Sequence, residues 1–344
     1  MFKITLFVGM VTNPNRRLSC FFSFSHSVSL FFVVLVLFSS CQNENTNEEE
    51  IENLSVAISF ERFDLKFYNQ PPDIIPKLKV EYPFLFPKQF SDSVWIKRQK
   101  DSLQLLLYHA VSEEFKDVDV LENQVSHLFK HIKYHVPTIN IPRVITLTNN
   151  VDYQLKTVYS DSLLLLSLDT FLGSNHPFYE GIPNYIRKEL DRKYIPSQIV
   201  EKLSSTLIPA PEGRTFLAQM IYEGKKLYLQ DLFLPHEKEE VKIAYTSEEL
   251  EWAKENELYV WQYFIENQSL YQTDPDWVER FLKPAPFSKF YLQLDNESPG
   301  KIGRWMGWQI VKSHRDQYPE VPLREWLALP AQQLFNQSKY KPNR

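Results

Sequence analysis

The chain has 344 residues, with 43 acidic against 38 basic side chains for a formal charge of −5, 15% aromatics, eight glycines and two cysteines. No stretch interleaves lysine and arginine with aromatics, so a nucleic-acid partner is excluded, and the acidic balance disfavours a direct electrostatic grip on anionic lipid. So much aromatic mass with so little glycine reads as a densely packed, helix-rich globule.

Residues 1–40 read as a signal peptide of the lipoprotein type. Lys3, Arg16 and Arg17 are its charges, no acidic residue occurs in it, and an uncharged run over residues 30–38 leads into Ser39-Ser40-Cys41. That run is too short for a spanning helix, which needs ~20 apolar residues. Cys41 is therefore the expected lipidation site, although Phe38 stands where leucine is usual in such a signal. Cys20 would leave with the leader and Cys41 would carry lipid, so the mature monomer can form no disulfide. The remaining ~300 residues must be held by their own core, for which they are ample. One acyl chain binds a bilayer only marginally, so attachment to the membrane would rest on several chains at the N-terminus. Residues 41–54 are polar and acidic and read as a flexible tether, and residues 55–344 as a single domain.

Along that domain, residues 55–67 alternate apolar and polar positions (Val56, Ile58, Phe60, then Phe63, Leu65, Phe67) and predict a strand with a slip near Glu61. A helical period follows through residues 91–135, with Leu103, Leu106, Leu107 and Ala110, then Leu121, Val125, Leu128, Phe129 and Ile132, until Pro137 and Pro142 break it. Residues 143–148 and 163–168 predict strands, with Asn149-Asn150 as turn material between them. From Tyr179 onward the pattern is almost entirely helical, and Thr246 with Glu249 makes a capping box. The class expected is α+β: a small sheet followed by a mostly helical part.

Two places hold side chains that packing does not require. His127, His131 and His135 recur every four residues on one helix, a spacing that stacks imidazoles and could chelate a metal. Leu128 stands where a metallopeptidase helix needs its glutamate, and the apolar stripe leaves the histidines on a face expected to be exposed, so no metal is expected there. The second place is the helix over residues 216–228, where Tyr222 and Lys226 fall together with Glu223 at their flank, and a later helix that turns Glu257 inward. A buried carboxylate is costly without a cation or donor, so a partner is expected. The glycines in Pro299-Gly300-Lys-Ile-Gly303-Arg-Trp-Met-Gly307-Trp308 do not form a nucleotide fingerprint, because helical sequence lies on both sides. Gly303 and Gly307, one turn apart, are expected to admit a close neighbour, with Trp305 and Trp308 at the crossing.

Several blocks in linked order carry a resemblance. They are Arg62-Phe63-Asp64, Leu168-Asp169 with Leu172-Gly173, Met220-Ile-Tyr-Glu-Gly-Lys225 with Leu227-Tyr228, Asn256-Glu257, Ala285-Pro-Phe-Ser-Lys289, and Ser298-Pro-Gly-Lys-Ile-Gly-Arg-Trp-Met-Gly-Trp-Gln-Ile-Val311. Together they resemble the gliding-motility lipoprotein GldB family, from about Ser55 to the end. That family is in turn similar to predicted zinc peptidases of the gluzincin type, which implies a zincin-like fold. The resemblance places the HExxH position at Tyr222-Glu223-Gly224-Lys225-Lys226 and the third-ligand position at Glu257. Both histidines are replaced, so the site is expected to be a pseudo-metalloprotease remnant with no cofactor, in which Lys226, or else Lys225, pairs with Glu257. The implied role is a non-catalytic, lipid-tethered component of the envelope gliding and secretion machinery, with envelope proteins as partners. The alternatives are an active peptidase, with His127 and His131 brought near Glu223, and a ligand-binding lipoprotein that uses the vacated cleft.

Overall fold

The structure is a computed structural model and describes residues 42–342 except Leu294. The leader and Cys41 lie outside the described residues. The chain divides after Asn53 into two units. In the first, the acidic segment expected to be a flexible tether is a helix, α1 (Gln42–Glu52), consistent with the helix propensity of its glutamates.

The second unit begins with β1 (Phe60–Arg62), much shorter than the strand expected over residues 55–67, followed at once by α2 (Phe63–Tyr68). The reason lies in spacing. Phe63 and Phe67 are four residues apart, so the helix brings their rings to 5.7 Å, whereas a strand would hold them about 13 Å apart. Next come α3 (Ile75–Glu81), α4 (Asp92–Gln99), α5 (Ser102–Glu114) and α6 (Asp119–His135), the last three covering the predicted helical stretch. β2 (Arg143–Leu147), β3 (Thr157–Ser160) and β4 (Leu163–Ser167) complete a sheet of order β1-β2-β4-β3. β1 and β4 run parallel to β2, and β3 is an antiparallel edge that the hydrophobic pattern did not predict. The Asn149-Asn150 turn holds Asn150 and Val151 at positive φ, and the Asp169 carboxylate accepts the backbone N–H of Asn149 and Val151.

Alternation along the strands sorts side chains between two helical layers. Ile145, with Leu163 and Leu165, faces a small cluster built by Phe67, Ile75, Leu78, Tyr82 and Phe86. Val144, Leu164 and Leu166 face the main core. That core is made by α6 and the later helices: α7 (Asn184–Arg187), α8 (Ile195–Leu207), α9 (Phe216–Phe233), α10 (Glu239–Ile243), α11 (Ser247–Glu255), α12 (Glu257–Glu266), α13 (Pro275–Phe281), α14 (Ile302–Gln317), α15 (Leu323–Leu327) and α16 (Ala331–Ser338). The α+β, helix-rich class is thus observed, with helices also between β1 and β2. Among the described residues no helix is long and apolar enough to cross a membrane.

The crossing of α9 with α14 positions everything that follows. A Cβ on Gly224 would collide with the backbone of Gly307, and one on Gly307 with the carbonyl of Met220. Gly303 touches Phe281 and Leu282 in the same way. Trp305 and Trp308 are buried beside the crossing with perpendicular rings 5.7 Å apart. The close approach expected of these glycines is therefore present: Gly307 meets the helix that carries Glu223, and Gly303 meets the end of α13. Because the obstruction is backbone that cannot rotate away, Gly307→Ala should destabilise the protein by about 1–3 kcal/mol or more, measured by urea unfolding. An unchanged midpoint would mean that the helices do not meet there.

Candidate functional site

α9 starts cleanly, with the Thr215 hydroxyl accepting the Ala218 N–H. Phe216, Leu217, Met220, Ile221 and Leu227 are buried, and so are Lys225, Lys226 and Gln230. The face that carries Tyr222 and Lys226 is packed between α8 and α14, so its charges must be met inside the protein. Lys226 lies 4.8 Å from the centre of the Tyr222 ring, as the shared face of these two residues implies.

The partner of Lys226 is not Glu257. Its ammonium stands 3.1 Å from Glu223 on its own helix and 3.4 Å from Glu201 on α8. Arg304 on α14 closes the figure, 2.9 Å from Glu201 and 3.0 Å from Glu223. Two carboxylates are thus each bridged by the same two cations, from three helices. Burial alone would raise the Glu201 carboxyl, but Arg304 and then Lys226 outweigh it and hold the group at about 2. The same carboxylates hold the Arg304 guanidinium and the Lys226 ammonium above their usual ranges against the pull of burial.

A second group adjoins it. Glu189 lies between Lys301 at 3.1 Å and Lys156 at 3.2 Å, and these outweigh burial to hold it at about 2. Asp231, one helical face further along α9, accepts from Lys242 and from the Trp308 indole N–H. Glu189, Glu201, Lys156, Lys242, Lys301 and Arg304 line a cavity of about 210 Å³.

The remaining expected residues lie elsewhere. Glu257 is buried as predicted, but the helix opened by Thr246 stops at Glu255, and Glu257 begins α12. Its carboxylate accepts the Tyr340 hydroxyl and gains from the helix N-terminus. Lys225, the alternative partner, donates instead to the carbonyls of Leu327 and Leu329 at 2.8 Å, and burial pulls its ammonium down to about 8. The predicted capping box is present in both halves.

The histidine face is less exposed than predicted, because α8 and α9 both pack on α6. His131 is buried, its ring 4.7 Å from that of His127. His135 turns toward Phe233, and burial drives its imidazole down to about 4. The histidines thus meet the Phe233 end of α9. At 1.5 Å per residue Glu223 is ~15 Å further along that helix, so they do not gather around it.

Glu201 and Arg304 were not singled out in the sequence. Arg304 stood inside the glycine-rich block, yet nothing in that block says which helix it faces. A model of the family described as gliding motility protein GldB matches residues 44–342. The chain belongs to the GldB family. The blocks at residues 220–225 and 298–311 that carried the resemblance are the two sides of the glycine crossing, so they build this site together. No curated protein and no solved structure matches the chain.

Both Glu189 and Glu201 titrate below their ordinary value of 4.5, so their stabilisation is complete above that pH and is lost as pH falls toward 2. Glu201→Gln should flatten acid unfolding between these limits, read by circular dichroism. Arg304→Met should cost up to about 3 kcal/mol at neutral pH, since it leaves two half-buried carboxylates with one cation instead of two. Equal acid profiles for Glu201→Gln and the parent would contradict the pairing.

Proposed function

We propose that the chain is a lipid-anchored envelope component of gliding motility and the protein secretion associated with it, and that its body is non-catalytic. Membership of the GldB family supports the role in motility. The leader ending in Ser39-Ser40-Cys41 supports the anchor, through acyl chains on Cys41.

The observation that carries the non-catalytic reading is the pair of cations bridging Glu201 and Glu223. A catalytic zinc needs three protein donors and an open position. Here the carboxylates nearest the expected base position are neutralised by Lys226 and Arg304, whose permanent positive charges sit where a metal would. An ion could enter only by displacing both. We read Tyr222, Glu223, Lys226 and Glu257 as positions of a zincin-like ancestor whose metal chemistry has been replaced by this internal salt network. The active-peptidase alternative loses its support from the separation of the histidine helix and Glu223.

Two measurements test the parts separately. Elemental analysis of the purified chain should find zinc well below one ion per chain, and stoichiometric zinc that survives dialysis would sink the non-catalytic reading. Cys41→Ser should release the protein from the membrane fraction and abolish surface spreading. Retention in the envelope with normal spreading would remove the anchor. Cross-linking in intact envelopes should recover other envelope proteins with the chain; recovery of lipid alone would count against an assembly role.

A further inference from the structure

The cavity between α8, α9, α14 and the segment leading into β3 has a cationic wall in a chain whose formal charge is −5. Lys156, Lys242, Lys301 and Arg304 face it against the carboxylates of Glu189 and Glu201. The donors are also not exhausted by the protein. An ammonium has three N–H donors and a guanidinium five. Lys156 donates to Glu189, Lys242 to Asp231, and Lys301 to Glu189 and the Ile243 carbonyl. Arg304 donates to Glu201 through Nη2, while its Nε, though close to Glu223, is not aligned for a hydrogen bond. The Glu189 carboxylate, by contrast, is engaged on both oxygens: one takes Lys301, and the other takes Lys156 and the Gln198 amide.

Lys301 adds an independent sign. It sits at φ 62°, a left-handed conformation that a lysine adopts only under constraint, and it is buried there. Strain of this kind is kept where the placement of a side chain matters.

We propose that this cavity binds a phosphate group, as inorganic phosphate or a small phosphomonoester. Surplus donors arriving from several elements call for an acceptor-rich anion. A carboxylate offers two oxygens in one plane, whereas a phosphate offers a tetrahedral set and up to two negative charges. The cavity is smaller than the ~300 Å³ at which drug-sized sites begin, so little beyond the phosphate fits. The proposal does not depend on the role in motility.

The test uses the full lipidated chain in a phosphate-free detergent. Isothermal titration with inorganic phosphate, against acetate at matched ionic strength, should show saturable binding to phosphate alone. Lys156→Gln and Lys242→Gln each leave their former carboxylate with another cation or donor, so both should fold. Each should raise the Kd about tenfold or more, as expected for one charge-assisted hydrogen bond. On the parent protein, phosphate should also shield Lys156 and Lys242 from amine acylation read by mass spectrometry, a readout that needs no variant. No saturable binding, equal binding of acetate, or acylation and affinity indifferent to these lysines would each overturn the proposal.

Discussion

The contact between Gly224 and Gly307 is the constraint on which the rest of the structure depends. Two helices can bring charged side chains from both into one small volume only if their axes approach closely, and a Cβ at either glycine would prop them apart. Once the backbones touch, residues a turn away on each side are committed to face one another. Glu223, paired with Lys226, then meets Arg304, and Asp231 meets Trp308.

That closeness explains why so much charge is buried in a core of aromatics. Each ion taken out of water costs several kcal/mol unless others replace its solvent. Here the replacement is reciprocal: Glu201 and Glu223 share both cations, and Glu189 shares two more. Such a network is a poor source of raw stability compared with packed hydrocarbon. It ties α8, α9 and α14 together, because each of the four groups meets an opposite charge on another of these helices. Within it Glu189 and Glu201 stay ionised throughout the physiological range.

Much of this was legible before the fold was known, and the failures have definite causes. The glycine spacing implied a crossing, the shared face of Tyr222 and Lys226 implied their contact, and the inward aim of Glu257 was correct. What periodicity cannot express is the identity of the neighbour. Lys226 and Glu257 looked like partners because both were charged and buried, yet Asn256 ends one helix before Glu257 starts the next and redirects its carboxylate to Tyr340. Residues 63–67 failed for another reason: two phenylalanines four apart satisfy a helix as well as a slipped strand, and packing against Tyr82 and Phe86 selects the helix.

By itself the sequence determined the helix-rich α+β class, most of the element positions, the capping of α11 and the resemblance to the GldB family, because all of these are local in the chain or written in ordered motifs. Only the tertiary structure decided which ions pair, that the Tyr222 and Lys226 face of α9 is covered, and that a cationic cavity lies beside it. Glu201, Glu223 and Arg304 are separated by 22 and 81 positions in the chain. Their meeting is set by the angle and distance at which helices cross, and no local pattern encodes that.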